Sequence, residues 1–402
     1  MRVAIVHDWL TGMRGGEKCL EVFCEIYPEA DIFTLFHIPG SVSDTIERHR
    51  IHTSPLQRIP GAGRRYRYML PLMPTAVRMF SLGEYDFILS SSHCVAKGAR
   101  GSYESYHLSY CHTPMRYAWS GYEEYLARLG GAARWLFPRL VEYLRRWDNE
   151  ANKGVHDFIA NSHTVAERIR RYYGRQAEVL YPPVETEFYQ SRNERVSDYY
   201  LMVTAFAPYK RVDAAVEAFG RLGRPLKVVG EGQDFERVRA LGKPNVEFLG
   251  RQDDETIREL YARCRAFILP GEEDFGITPL EAQACGRPVI ALGAGGALET
   301  VVGVNADEYE APQGFIPWGE AGDGEAEPTG MFFSRSEPTH IEEAVVAFEK
   351  MEKRFSPEAS RKQAERFARE NFRKAARERF RQSCLNHRER LENSMKNTEQ
   401  HR

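Results

Sequence analysis

Leu269-Pro270-Gly271-Glu272-Glu273-Asp274-Phe275-Gly276-Ile277-Thr278-Pro279-Leu280-Glu281-Ala282-Gln283-Ala284-Cys285-Gly286 is the stretch on which the reading of this chain turns. An apolar run at 266–269 leads into an acidic, glycine-containing loop, and a helical pattern opens near Thr278 and stops at Gly286. Strand, loop and helix in that order put the loop at the carboxyl end of a parallel strand, where α/β proteins bind ligands. The helix turns its unpaired N–H groups and positive dipole end on that place, which suits a phosphate. Glu273 and Glu281 frame the loop and the helix start, and carboxylates so placed accept hydrogen bonds from sugar hydroxyls. A nucleotide sugar carries both phosphates and hydroxyls.

Other loops of the same kind surround this one. The run 3–6 reads as a buried first strand, and Gly12-Met13-Arg14-Gly15-Gly16 leads from it into a helix bearing Leu20, Val22, Phe23 and Ile26. Gly15 and Gly16 let backbone N–H groups approach an anion at a helix start, and the spacing is not the Gly-x-Gly-x-x-Gly of a dinucleotide site. Short apolar runs at 31–36, 86–90, 107–111 and 157–160 are further strands, with helical patterns between them. That alternation predicts an open parallel sheet with helices on both faces over residues 1–185. His112 follows the strand 107–111 and precedes Thr113-Pro114, which places an imidazole at the carboxyl edge of the sheet. A helix capped at 161–164 runs to Gly174, and 179–184 reads as a strand closed by Pro182-Pro183.

After a polar linker at 185–198 the pattern restarts. A strand at 199–204 meets the loop Ala205-Phe206-Ala207-Pro208-Tyr209-Lys210-Arg211 and a helix at 212–222, with Lys210 and Arg211 at the helix start, where a diphosphate would be neutralised. A strand with its glycine loop at 226–232, another at 246–249 and a helix at 255–264 follow, and after the run 287–292 comes a further glycine loop from Gly293. Residues 303–328 hold seven acidic residues and no Lys or Arg, and read as a solvated excursion. The chain is helical from Pro338, with a buried stripe of Phe367, Phe372, Ala376 and Phe380 expected in the last helix and a frayed end from Asn393.

Composition narrows the classes. With 402 residues, 42% of them hydrophobic, the chain is long enough for two cores, and a net charge of -2 disfavours a general nucleic-acid partner. Seven scattered cysteines, none in Cys-x-x-Cys, suggest neither disulfides nor zinc and fit a reducing cytoplasm. The N-terminal apolar run is too short for a signal segment, and no apolar window has the length needed to cross a bilayer. Two basic-aromatic stretches suit the surface of an anionic membrane: 58–80, with Arg64, Arg65, Arg67 and Arg78 among Tyr66, Tyr68, Leu72 and Phe80, and 135–147, with Arg139, Arg145 and Arg146 beside Trp135 and Trp147. Each also reads as an amphipathic helix packed on its own domain.

The Glu273-x7-Glu281 string enclosing Phe275-Gly276 resembles the signature of retaining glycosyltransferase family 4, and His112-Thr113-Pro114 with the aromatics after it resembles the O-antigen mannosyltransferase branch. The likeness extends through 161–184 and the Pro208-Tyr209-Lys210-Arg211 segment. It implies the GT-B fold: an N-terminal Rossmann-like acceptor domain (1–185) and a C-terminal donor domain (186–370) facing each other across a cleft, and a last helix (371–402) crossing back to the first. It implies transfer of a hexose, mannose from GDP-mannose above all, to a lipid-linked oligosaccharide at the inner face of a bacterial membrane, with retention of configuration. By the same resemblance His112 and Glu273 are catalytic, and Gly15, Gly16, Lys210, Arg211, Gly230, Arg251, Phe275, Gly276, Ile277, Thr278 and Glu281 bind the donor. One position departs from the pattern: Ala205 stands where most members carry an Arg, which leaves more of the phosphate charge to Lys210 and Arg211.

Breaking the bond from the anomeric carbon to the β-phosphate builds negative charge on the leaving diphosphate and positive charge on the ring. With no Asp-x-Asp placed after a strand, the expectation is neither metal nor cofactor, the anion being held by Lys210, the helix start at 276–278 and the 15–16 loop. Three alternatives stay open: a UDP-hexose donor, a silent nucleotide-sugar-binding scaffold, and, less favoured, a nucleotide-sugar epimerase.

Overall fold

A computed structural model describes residues 1–192, 194–306 and 327–400, which divide into two compact units, Met1–Pro183 with Glu370–Arg402, and Val184–Arg369. Each unit is built on a seven-stranded sheet in which every pairing is parallel.

In the first unit the strands β1 (Val3–His7), β2 (Asp31–Thr34), β3 (Ile51–Thr53), β4 (Phe87–Ser92), β5 (Tyr106–Cys111), β6 (Asp157–Ala160) and β7 (Ala177–Val179) lie in the order β3-β2-β1-β4-β5-β6-β7. The order reverses between β1 and β4, and the loops leaving those two strands diverge to opposite faces, opening a crevice at the carboxyl edge. Both faces are covered, so the strands read as continuous apolar runs. Ala4, Val6 and Ile88 pack on one side with Val141, Leu144 and Trp147 of the helix Gly131–Asn152. Val3, Ile5, Phe87 and Leu89 pack on the other with Leu20 and Phe23 of the helix Gly15–Ile26. The long helix Arg369–Gln400 lays Phe372, Ala376, Phe380 and Cys384, four residues apart and so on one stripe, onto that second face.

The second unit repeats the plan with β8 (Tyr200–Val203), β9 (Leu226–Val229), β10 (Val246–Gly250), β11 (Phe267–Leu269), β12 (Val289–Leu292), β13 (Gly303–Asn305) and β14 (Gly330–Phe333) in the order β10-β9-β8-β11-β12-β14-β13. Its reversal lies between β8 and β11. Tyr200, Met202, Val228, Ile268, Ile290 and Met331 form a core with the helices Val212–Leu222 and Pro338–Met351.

Several expectations are corrected. Strand β7 ends at Val179, earlier than the 179–184 segment suggested, because Pro182 and Pro183 have no N–H to continue a ladder. The strands β3, β13 and β14, three or four residues each, carry too little alternation to be read from sequence. Phe367 precedes the last helix, and its ring packs against Phe275 at 5.5 Å in the second unit. That helix continues to Gln400, through the segment expected to fray. Most of the acidic stretch, 307–326, lies outside the described residues. Among the described residues no helix is long and apolar enough to cross a membrane.

Candidate active site

In the second unit the loops leaving β8, β11 and β12 are pressed together backbone to backbone. A Cβ on Gly271 would fall 2.2 Å from the Tyr209 carbonyl oxygen, and one on Gly296 would fall 2.2 Å from the Phe275 carbonyl oxygen. The Gly296 N–H donates to the Glu273 carbonyl at 2.8 Å. No side chain larger than hydrogen fits at either contact, which is the local reason for glycine in both loops. The packing brings Lys210 and Glu273 into an ion pair across the point where the strand order reverses. Lys210 ends a 3-10 turn, Pro208–Lys210, and Arg211 after it has φ +50°, the left-handed region that a side chain disfavours by roughly 1–2 kcal/mol. Arg211 stands 3.7 Å from Asp213 and is half-buried.

Gly276, at φ +95°, is the N-cap of the helix Ile277–Ala284 and, lacking a side chain, makes no side-chain cap hydrogen bond. Ile277 and Thr278 there are partly exposed. The Phe275 side chain is buried, with its ring against that of Phe367. Glu281 is buried and accepts a hydrogen bond from the Tyr261 hydroxyl at 3.1 Å. Burial, followed by the Glu281 carboxylate, pushes the Tyr261 hydroxyl far above its ordinary pKa. Gly230, at φ +133°, lets the loop after β9 meet the Thr204 carbonyl, 1.8 Å from where a Cβ would sit. Arg251 is exposed just past β10, with β9 between it and β8.

In the first unit Gly15 and Gly16 open the helix Gly15–Ile26, and a Cβ on Gly16 would touch His112 Nε2 at 3.6 Å and His7 Cε1 at 3.7 Å. His112 follows β5, and its N–H donates to the Ser92 carbonyl at 2.9 Å. Its Nε2 lies 2.8 Å from Ser91 Oγ, which lies 3.0 Å from His7 Nδ1. Glu17, three residues into the helix, accepts the Arg14 N–H at 3.1 Å through Oε2 and places Oε1 3.7 Å from His7 Nε2. Burial pushes the Glu17 carboxyl up, but His7 and Arg14 outweigh it and hold the group below the usual carboxylate range.

Asp8 sits where the strand order reverses and ties its two loops together. Its carboxylate accepts the N–H groups of His93, Cys94, Val95 and Ala96 at 2.7 to 2.9 Å and lies 3.1 Å from His93 Nδ1. Burial raises the Asp8 pKa, and the charge of His93 with these N–H groups more than offsets it, leaving the net shift downward. Behind the loop that follows His112, the buried Lys97 and Asp148 form an ion pair, and Asp148 also accepts from Trp119 Nε1 at 2.8 Å and the Tyr173 hydroxyl at 2.9 Å. Sequence reading missed His7, Asp8, Glu17 and Ser91. The one visible signal was polar residues closing otherwise apolar strands.

Residues 22–188 match the family model described as Glycosyltransferase Family 4, and residues 184–307 the model described as Glycosyl transferases group 1. The GDP-mannose-dependent monoacylated alpha-(1-6)-phosphatidylinositol monomannoside mannosyltransferase of Corynebacterium glutamicum is 37% identical over 110 residues, 23% of this chain and 29% of that protein. The O-antigen chain mannosyltransferase C of Escherichia coli is 36% identical over 110 residues, 25% of this chain and 30% of that protein. The chain thus spans about a third of the length of the curated relatives it matches. The Anabaena protein HepE, solved in complex with UDP-glucose, has a TM-score of 0.66 over 95% of this chain and all of its own, at 15% identity, a likeness of fold. The chain therefore has the two-domain GT-B fold and is similar, in its N-terminal and central stretches in turn, to the glycosyltransferases of family 4 and of group 1.

Proposed function

We propose that this protein is a retaining glycosyltransferase that moves mannose from GDP-mannose to a lipid-linked oligosaccharide during bacterial surface-polysaccharide synthesis, without a metal ion. The observation that carries the reading is the Lys210–Glu273 pair, with Glu273 on the loop that leads through Gly276 into the helix Ile277–Ala284. A cation and a helix start suit a diphosphate, and the carboxylate next to them suits the hydroxyls of the attached sugar. The mannosyltransferase relatives support the choice of sugar, and the Corynebacterium relative's name supports GDP.

In this mechanism Lys210, with Arg211 and the N–H groups at 276–278, stabilises the charge growing on the leaving diphosphate. Those groups are fixed before the reaction, so little reorganisation accompanies bond breaking. Glu281 binds ribose hydroxyls and Glu273 a sugar hydroxyl, while Gly230 and Arg251 line the nucleotide side. His112 orients the transferred sugar, and Gly15 and Gly16 offer backbone N–H groups to the donor phosphates.

For a lipid-linked acceptor the first unit has a suitable surface. Tyr68 and Leu72 are exposed in the stretch that carries the exposed Arg65 and Arg67, and Trp135 and Leu136 in the stretch that carries Arg139, whose guanidinium lies 3.9 Å from the Trp135 ring centre. Aromatic and cationic groups so mixed fit peripheral contact with the anionic inner face of the cytoplasmic membrane. A UDP-hexose donor is the second reading, favoured by the HepE complex with UDP-glucose.

The test is binding and turnover over a panel of nucleotide sugars without added metal, comparing wild type with Glu273→Ala and His112→Ala. Saturable GDP-mannose binding, with transfer or slow hydrolysis lost in both variants, is expected. Preference for a UDP sugar replaces the donor, and binding without turnover on any lipid-linked acceptor overturns the enzyme.

A further inference from the structure

We propose that Glu17, His7 and Ser91 form a positioning chain that fixes the proton of the His112 ring on Nε2. The proposal rests on the role just given to His112. An imidazole that orients a sugar must present one defined nitrogen, as donor or as acceptor, and a ring that exchanges tautomers presents neither consistently.

The sheet register assembles the chain. His7 of β1 pairs with Ser91 of β4, and Ser91 pairs with Tyr110 of β5. His112 lies two residues beyond Tyr110, so its side chain leaves the sheet on the same side as that of Tyr110. All four polar groups are thereby gathered at the carboxyl edge, Ser91 and His7 fully buried and Glu17 nearly so.

Ser91 Oγ lies between two ring nitrogens, His112 Nε2 at 2.8 Å and His7 Nδ1 at 3.0 Å. A hydroxyl has one hydrogen, so it donates to one ring and accepts from the other. Glu17 decides which. Its Oε2 is held by the Arg14 N–H, and its Oε1 faces His7 Nε2 at 3.7 Å. A buried carboxylate attracts an N–H and repels a bare lone pair, so neutral His7 carries its proton on Nε2 and leaves Nδ1 as an acceptor. Ser91 then donates to His7 Nδ1, and its oxygen accepts the proton of His112 Nε2. Gly16 lies over both rings, a Cβ there standing at ordinary contact distance from His112 Nε2 and His7 Cε1. Asp8, His93 and Arg14 also act on this cluster, and the Tyr110 ring stands edge-on to that of His112 at 5.2 Å. Asp8 is already engaged by four backbone N–H groups and His93. None of the three positioning residues touches substrate in this scheme.

The decisive experiment is nitrogen-15 NMR of the full-length protein with labelled histidine at pH 8, where ordinary imidazoles are neutral. The His112 signals are assigned by their loss in His112→Gln. Wild type is expected to show an Nε2–H ring at His112. Ser91→Ala should convert it to a mixture of tautomers and lower kcat by about tenfold or more, the scale of a general acid–base contact, with a smaller change in donor KM. Ser91→Thr keeps the hydroxyl and should restore both. Glu17→Gln, whose amide can donate as well as accept, should loosen the His7 and His112 tautomers together, and serves as the second variant if Ser91→Ala fails to fold. A His112 proton on Nδ1 in wild type, or an Nε2–H ring unchanged in folded Ser91→Ala and Glu17→Gln, overturns the chain. If wild type transfers no sugar while the NMR pattern appears as expected, the proposed function fails and the positioning chain stands.

Discussion

Asp8 has no place in the proposed chemistry, yet it determines where that chemistry can be built. Its carboxylate takes four backbone N–H groups from the turn after β4 while standing at the end of β1. Asp8→Asn removes the charge and turns half of the acceptor into a donor, facing N–H groups that are donors too. A loss of roughly 3 kcal/mol at neutral pH is expected, since hydrogen bonds to a charged group are worth more than neutral ones. The pH dependence has a definite sign. The folded pKa of Asp8 is lowered, and the unfolded value is about 3.9. The stabilisation is therefore complete above the unfolded value and is lost as pH falls through the lower folded value. Urea unfolding of both proteins across pH should show a gap that is constant near neutrality and narrows below about pH 4. A gap that widens on acidification would contradict this account. At the same scale, Phe275 lies in the recognisable string with its side chain buried and its ring against that of Phe367.

Among the elements, the unit that matters is a strand, the loop it feeds and the glycines of the next loop. Glu273 is held in place from two directions, by Lys210 through its side chain and by Gly296 through its carbonyl. Gly296→Ala puts a methyl group 2.2 Å from the Phe275 carbonyl oxygen, so the loop carrying Glu273 must move. The expected cost is about 1–3 kcal/mol of stability, the range for overpacking, together with weaker binding of the nucleotide sugar. Gly83→Ala is the matched control, because nothing lies within 4 Å of its Cβ position. Thermal melting and donor titration of the two variants check this. Equal donor affinity in both would mean that the contact does not position Glu273.

For the whole molecule, the last helix belongs to the first unit, and its apolar stripe completes one face of that sheet. Phe380 packs its ring against Phe23 at 5.4 Å and is fully buried. Phe380→Ala should destabilise the first unit by about 3–5 kcal/mol and speed hydrogen exchange of the β1 and β4 amides. Unchanged exchange in those strands would show that the helix docks without supporting the sheet. Both sheets and the loops holding Lys210, Glu273 and His112 were legible in the sequence, because apolar runs, glycines and helix starts are local signals set by backbone geometry and burial. The edge strands β3 and β13, and β14 beside the latter, were not, being too short to carry a period. Nor were the partners: that Lys210 meets Glu273, that Asp8 binds the turn at 93–96, and that His7 and Ser91 reach His112 follow from strand order and register, which join residues distant in the chain. Local signals determined where most strands, loops and helices lie, and tertiary structure alone decided which polar side chains meet, because a hydrogen bond between remote residues leaves no period in the sequence.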